Sequence, residues 1–138
     1  MLLFIYGTLK RGCHNHFYMQ GQQFVSEAAT QPLYRLHNLG GYPGMVMSSE
    51  GQSIEGEVWD IDEACRARLD VLEGVDEGEY VLEPVPLLPP FDTQVVQGYR
   101  YLRSVDGLPD AGTCWKETPD ARAVGGGTAP ASRQGNIT

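Results

Sequence analysis

The chain has few positive charges and no long hydrophobic run, and both absences exclude classes of function. Its 138 residues contain 10 Lys and Arg against 18 Asp and Glu, and the few cations are scattered. Phosphate binding needs clustered Lys and Arg, so the formal net charge of -8 argues against a nucleic-acid partner. No apolar run approaches the roughly 18 residues that span a bilayer, so no membrane partner is expected.

Cysteine is scarce as well. The three cysteines are an odd number without paired spacing, as expected of reduced thiols in a cytoplasmic protein. The apolar start Leu2–Ile5 is too short for the hydrophobic region of a signal peptide. From about Asp120 the composition turns to Ala, Gly, Ser and Thr. We therefore predict one domain over residues 1–119 and a flexible C-terminal extension over residues 120–138.

Strand-like segments predominate over helical ones. The apolar run Leu2–Tyr6 predicts a strand buried on both faces, and the two prolines within Tyr80–Leu88 predict an edge strand or the margin of a barrel. Met45–Met47 and Ser53–Ile61 are expected to pair as a hairpin, with a bulge or a close backbone approach at Gly56. Because there is no regular βαβ alternation, this order predicts an α+β fold around a strongly bent sheet or a small barrel.

The clearest helix is "DIDEACRARLDVLEG", with Asp60 as the expected N-cap, Glu63 as its capping-box partner and Gly74 as the stop. Glu73 lies in the last turn, where the helix dipole and apolar neighbours would favour its protonated form. Such a carboxylate is a candidate proton acceptor at neutral pH, although a lone glutamate is more often a solvated charge. Asp70 is expected to be a solvated charge.

Two further candidates lie within the stretch "FIYGTLKRGCHNH". The Gly7–Leu9 turn could present backbone N–H groups to a carboxylate, or it could be an ordinary strand end. Cys13, His14 and His16 could form a thiol–imidazole pair or part of a metal site. Zinc needs three or four convergent ligands, and sequence neighbours usually point apart, so a polar surface turn is expected there.

These segments, in this order, resemble the γ-glutamyl cyclotransferase-like superfamily, also called the AIG2-like family. The resemblance rests on "YGTLKRGCHNH", "GGYPG", "IEGEVWDID", "LDVLEG" and "GYRYL", and it covers roughly the first hundred residues. The extended first motif is especially similar to the γ-glutamylamine cyclotransferase branch. The resemblance implies a small mixed β-barrel with flanking helices and a cavity at one barrel end.

The same resemblance implies a site. It implies that the segment Tyr6-Gly7-Thr8-Leu9 holds the α-carboxylate of a small γ-glutamyl substrate, that Glu73 is the catalytic carboxylate, and that Tyr101 lines the pocket. The substrate's α-amine would attack its own γ-carbonyl and release 5-oxoproline and a free amine, with Glu73 as general acid/base and no cofactor or metal. A non-catalytic module that binds a γ-glutamyl metabolite is the alternative, and the leaving amine stays open.

Overall fold

The chain forms a mixed α+β fold, seen in a computed structural model that describes residues 1–117. The strands are β1 (Leu2–Ile5), β2 (Gln23–Ala29), β3 (Tyr34–Asn38), β4 (Pro43–Met47), β5 (Glu55–Asp60), β6 (Tyr80–Pro84) and β7 (Gln97–Tyr101). Helix α1 spans Glu63–Leu72, and two 3-10 turns span His16–Met19 and Val75–Glu77. No helix among these residues is long and apolar enough to cross a membrane. The predicted extension over residues 120–138 lies outside the described residues.

Strand β1 lies at the centre of a five-stranded sheet with the order β2-β5-β1-β7-β6. It pairs antiparallel with β5 and parallel with β7. Leu3, Phe4 and Ile5 are all buried, and alternate side chains enter two different core clusters, with Phe4 in one and Leu3 and Ile5 in the other. The prediction of a first strand buried on both faces is therefore confirmed.

The closed barrel is not confirmed, because the described strands pair as two separate sheets. β3 and β4 form their own two-stranded sheet, and β2 and β6 are the edges of the larger one. The edges approach each other beyond the strands, where Thr30 forms an antiparallel bridge with Leu87. Backbone hydrogen bonds from Gln31 to Pro86 and from Leu88 to Ala29 support that bridge. The larger sheet is therefore strongly bent but open along most of its edges.

The predicted hairpin between Met45–Met47 and Ser53–Ile61 is wrong. β4 pairs with β3, from Tyr34 opposite Met47 to Asn38 opposite Pro43, while β5 pairs with β1 and β2. The alternating pattern identified both strands, but alternation alone does not specify which strands pair.

Two strand glycines lie where a side chain would collide with a neighbour. A Cβ at Gly56 would lie 2.3 Å from the Ile5 carbonyl oxygen and 2.7 Å from the Phe4 ring, and one at Gly98 would lie 2.7 Å from a Val85 methyl carbon. The close backbone approach expected at Gly56 is confirmed, and the described bulge lies elsewhere, between Phe24 and Ser26 of β2.

Helix α1 begins two residues later than predicted. Its N-cap is Asp62, whose side chain accepts a hydrogen bond of 2.8 Å from the Cys65 amide, while Asp60 belongs to β5. The predicted apolar face packs into the core through Cys65 and Leu69, both fully buried. Gly74 has a φ of 68°, which a glycine adopts without strain, and it ends the helix as expected.

Candidate active site

Glu73 is the C-cap residue of α1, and its side chain is fully buried. Its backbone N–H still donates to the Leu69 carbonyl at 2.8 Å, so the last helical turn fixes where the side chain begins. The carboxylates of Glu77 and Glu79 lie close to Gly74, each 3.1 Å from where a Cβ on that glycine would stand. The burial of Glu73 excludes the alternative that this carboxylate is a solvated surface charge.

Tyr99 connects Glu73's helix to the central strands. Its buried hydroxyl donates a hydrogen bond of 2.7 Å to Asp70, three residues before Glu73 on the same helical face. Burial, the hydrogen bond to Asp70 and the negative charges of Asp70 and Glu73 raise the pKa of Tyr99 well above its usual range. The Tyr99 phenol is therefore neutral at physiological pH, and it lies within the electrostatic reach of Glu73.

Tyr6, the first residue of the "YGTL" motif, also contacts Tyr99. Its hydroxyl donates a hydrogen bond of 2.7 Å to the Tyr99 carbonyl and accepts one of 3.2 Å from the Met45 amide, and all these contacts are buried. Tyr99 of β7 therefore contacts both the "YGTL" motif, through Tyr6, and the "LDVLEG" motif, through Asp70. The phenol proton of Tyr6 is occupied by the protein itself, which favours a framework role for this side chain.

In the turn after β1, the carbonyl groups of Gly7 and Thr8 accept hydrogen bonds from backbone amides further along the chain. The Gly7 carbonyl accepts from the Lys10 amide at 3.1 Å, and the Thr8 carbonyl accepts from the Asn15 amide at 3.0 Å. A trans peptide directs its N–H away from its C=O, so the amides of Thr8 and Leu9 point away from the side on which Lys10 and Asn15 lie. This orientation is compatible with a backbone anion site.

Asn15 and His16 contact this turn through their side chains. The Asn15 side-chain amide donates 3.2 Å to the Thr8 hydroxyl, and His16 Nδ1 lies 2.8 Å from the Leu9 carbonyl oxygen. The His16 ring also packs against Trp59, with ring centroids 5.3 Å apart. Asn15 was not among the site residues predicted from the sequence. Its signal was weak: an Asn in a glycine-containing loop, where side-chain-to-backbone bonds are common.

Cys13, His14 and His16 diverge. His14 pairs through Nδ1 with Glu117 at 2.7 Å, His16 faces Leu9, and Cys13 packs against the core cluster that contains Phe4. Within residues 1–117 no three His, Cys, Asp or Glu side chains converge as a metal site requires. The three side chains therefore serve different contacts, and the structure does not bring them together.

Tyr101 lies on β7, two residues after Tyr99. Its half-buried ring packs edge-on against Tyr80 at 5.1 Å between centroids, and the Gly44 backbone lies close against it. The Tyr80 hydroxyl in turn donates a hydrogen bond of 3.0 Å to the Pro43 carbonyl, so the end of the "GGYPG" loop is tied to β6. Burial and the nearby charge of Glu79 raise the pKa of Tyr101, which keeps its phenol neutral.

A surface cavity of about 380 Å³ borders Lys10, the residue that follows the segment Tyr6–Leu9. It is lined by Lys10, Glu27, Ala28, Ala29, Glu55, Gly56, Glu57 and Cys114. Neither Glu73 nor any residue of Tyr6–Leu9 lines it, and Glu73 and Thr8 are fully buried. Glu73 and Thr8 are therefore closed to solvent in this conformation.

This chain is similar to several known proteins. A Vibrio cholerae protein, provisionally named as a γ-glutamylcyclotransferase, is 41% identical over 112 residues, which are 80% of this chain and 92% of that protein. The solution NMR structure of protein YtfP from Escherichia coli is 33% identical, with a TM-score of 0.63 over 87% of this chain and 99% of that one. A Niallia circulans γ-L-glutamyl-butirosin B γ-glutamyl cyclotransferase is 37% identical over 71 residues, 51% of this chain and 44% of that protein.

The fold and these relatives define a protein of the cyclotransferase class. The model of the "Gamma-glutamyl cyclotransferase, AIG2-like" family matches residues 3–117, which is most of the chain and all but two of the described residues. The chain belongs to this family, and membership supports a cyclotransferase-type function.

Proposed function

We propose that this protein converts a γ-glutamyl amide into 5-oxoproline and a free amine, with Glu73 as general acid/base. The observation that carries the proposal is the position of Glu73, fully buried at the end of α1 and electrostatically coupled to Tyr99. Tyr99 also accepts the hydrogen bond of Tyr6 at the start of the "YGTL" turn. This connection through Tyr99 supports the assignment of Glu73 and the "YGTL" turn to one site.

The reaction needs no second substrate. The α-amine of the glutamyl group attacks the γ-carbonyl carbon, a five-membered ring closes, and the γ C–N bond breaks. Glu73 accepts a proton from the attacking amine and returns it to the leaving nitrogen, so protons and electrons balance without water. Burial of Glu73 keeps water away from the carboxylate while this transfer takes place.

The turn Gly7–Leu9 holds the substrate's α-carboxylate in this proposal. The amides of Thr8 and Leu9 point away from Lys10 and Asn15, which bind the carbonyls, and two adjacent amides can share one carboxylate. Fixing the carboxylate folds the glutamyl chain so that its amine meets its own carbonyl, and such positioning lowers the barrier greatly. Tyr6 supports this turn through its bond to Tyr99, and Tyr101 contacts the substrate in this proposal.

The leaving amine is the open part of the substrate. The Niallia circulans relative, named for γ-L-glutamyl-butirosin B, supports an amine larger than an amino acid as one choice. A panel of ε-(γ-glutamyl)lysine, γ-glutamyl dipeptides and γ-glutamylated polyamines, scored by 5-oxoproline release, tests the proposal. Turnover of at least one compound is expected. Thermal stabilisation by these compounds without any 5-oxoproline would instead identify a non-catalytic binding module and overturn the proposal.

A further inference from the structure

Asp70 lies in α1, the helix that ends at Glu73, and both of its carboxylate oxygens accept hydrogen bonds. Tyr99 donates to Oδ1 at 2.7 Å, and Arg66 donates to Oδ2 from one turn earlier in α1. Arg66 also pairs with Glu63, so its positive charge is shared between two carboxylates. Asp70 is therefore a fixed anion three residues from Glu73, with a side chain that is 23% exposed.

We propose that Asp70 is a positioning residue that raises the proton affinity of Glu73, and that Tyr99 keeps its charge in place. The proposal rests on the proposed function of Glu73. A negative charge on the same helical face disfavours a second carboxylate nearby, and burial weakens solvent screening between them. The Tyr99 hydroxyl gives its one proton to Asp70, so its oxygen offers only lone pairs to its other neighbours. Both effects make Glu73 a stronger base.

Other charged groups also face this region. Glu77 and Glu79 approach Gly74 from the turn that follows α1, and Arg103 lies 4.0 Å from Glu79. His16 lies in the 3-10 turn that packs against α1, where its ring faces Leu9 and Trp59. Asp70 differs from these groups because a buried phenol fixes it.

The test is a titration of the Glu73 carboxyl in the full chain by 13C NMR, with Glu73→Gln identifying its resonance. Asp70→Asn should lower the titration midpoint by about one pH unit, because it removes a charge and keeps the shape. Asp76→Asn is the matched control, since Asp76 lies three residues beyond Glu73 but is exposed. The Glu73 midpoint should be the same in this variant as in the wild type. An unchanged midpoint in Asp70→Asn would overturn the proposal.

Two further variants give results that loss of folding would not imitate. Arg66→Gln removes the cation that offsets Asp70, so the Glu73 midpoint should rise, opposite to the effect of Asp70→Asn. Tyr99→Phe frees the Asp70 carboxylate to turn toward solvent, so the midpoint should fall, whereas Tyr34→Phe, a buried tyrosine of the other core cluster, should leave it unchanged. A fall in Arg66→Gln, or no fall in Tyr99→Phe, would contradict the proposal.

Turnover separates this inference from the proposed function. The acidic limb of the kcat/KM profile for 5-oxoproline release should move to lower pH in Asp70→Asn by the same amount as the NMR midpoint. If Glu73→Gln abolishes turnover but neither the limb nor the midpoint moves in Asp70→Asn, only the inference about Asp70 is wrong. If Glu73→Gln keeps the wild-type rate, the proposed function is wrong whatever the midpoint does.

Discussion

The hydroxyl of Tyr6 donates a 2.7 Å hydrogen bond to the carbonyl of Tyr99, which lies 93 residues away in the chain. The bond joins the end of β1 to its parallel neighbour β7, and the side chain of the same Tyr99 reaches Asp70 of α1. One residue of β7 therefore connects the turn that follows β1 with the helix that ends at Glu73. Loss of this connection should affect both folding and the site.

Tyr6→Phe should destabilise the protein while keeping its ring in the core. The substitution leaves the buried Tyr99 carbonyl and Met45 amide without the phenol oxygen that now serves both, at a cost of about 1–3 kcal/mol. Urea denaturation measures the loss. Tyr18→Phe, at a partly exposed tyrosine, is the control. Equal stabilities for Tyr6→Phe and the wild type would show that these two hydrogen bonds contribute nothing net.

His16→Phe should weaken substrate binding more than it slows turnover. Phenylalanine keeps an aromatic ring against Trp59 but loses the contact of Nδ1 with the Leu9 carbonyl, so the turn is less firmly held. One hydrogen bond of this kind corresponds to about a tenfold rise in KM. Steady-state kinetics on the best compound of the panel gives KM and kcat separately.

His14→Phe is the matched control for that prediction, because His14 contacts Glu117 and not the turn Gly7–Leu9. Its KM should equal that of the wild type. A similar rise in both variants would mean that the whole loop, rather than His16 alone, supports the site. Loss of activity with a chelator or in Cys13→Ala would instead support the hypothesis that Cys13, His14 and His16 form a metal or thiol site.

Gly56→Ala should destabilise the protein more than Gly98→Ala. At Gly56 the added methyl meets the Ile5 carbonyl at 2.3 Å, and backbone cannot move without breaking the β1–β5 pairing. At Gly98 it meets a Val85 methyl at 2.7 Å, and that side chain can rotate. Overpacking costs about 1–3 kcal/mol, and Gly56→Ala should lie at or above the upper end. Equal midpoints of urea unfolding would contradict this ranking.

Asp62→Ala should lower Tm at neutral pH and much less in acid. The hydrogen bond from the Cys65 amide is the main cause that lowers the pKa of Asp62 below its ordinary value of 3.8. A pKa that is lower in the folded state stabilises the protein at pH values above the pKa of the unfolded state. That stability is lost as the pH falls through the pKa of the folded state. Thermal melts of both proteins at pH 7 and pH 3 measure the difference. A gap in Tm that stays constant with pH would contradict the cap's ionic contribution.

Much of the fold could be predicted from local patterns. The apolar run of β1, the face of α1 formed by Cys65 and Leu69, and the edge position of β6 all follow from periodicity or proline chemistry. Strand partners could not be predicted in the same way, because β4 alternates equally well whether it pairs with β3 or β5. The cap was misplaced because Asp60 and Asp62 are chemically equal, and only the pairing of β5 excludes Asp60.

The site was predicted less completely than the fold. Glu73 stood out because a carboxylate at a helix C-terminus is unfavourable, and its burial matches that signal. Asp70 was expected to be a solvated charge, and this was wrong because its partner Tyr99 lies 29 residues away on another element. Long-range hydrogen bonds of this kind leave no local pattern in the sequence.

The rate of 5-oxoproline release by Glu73→Gln tests the central claim most directly. Glutamine keeps the size and shape of the side chain but cannot accept the proton, so turnover should fall by at least about a hundredfold, with Tm close to that of the wild type. Asp76→Asn, which removes an exposed carboxylate three residues beyond Glu73, is the control and should keep most of the activity. Wild-type turnover by a folded Glu73→Gln protein would contradict the assignment of Glu73 as the general acid/base.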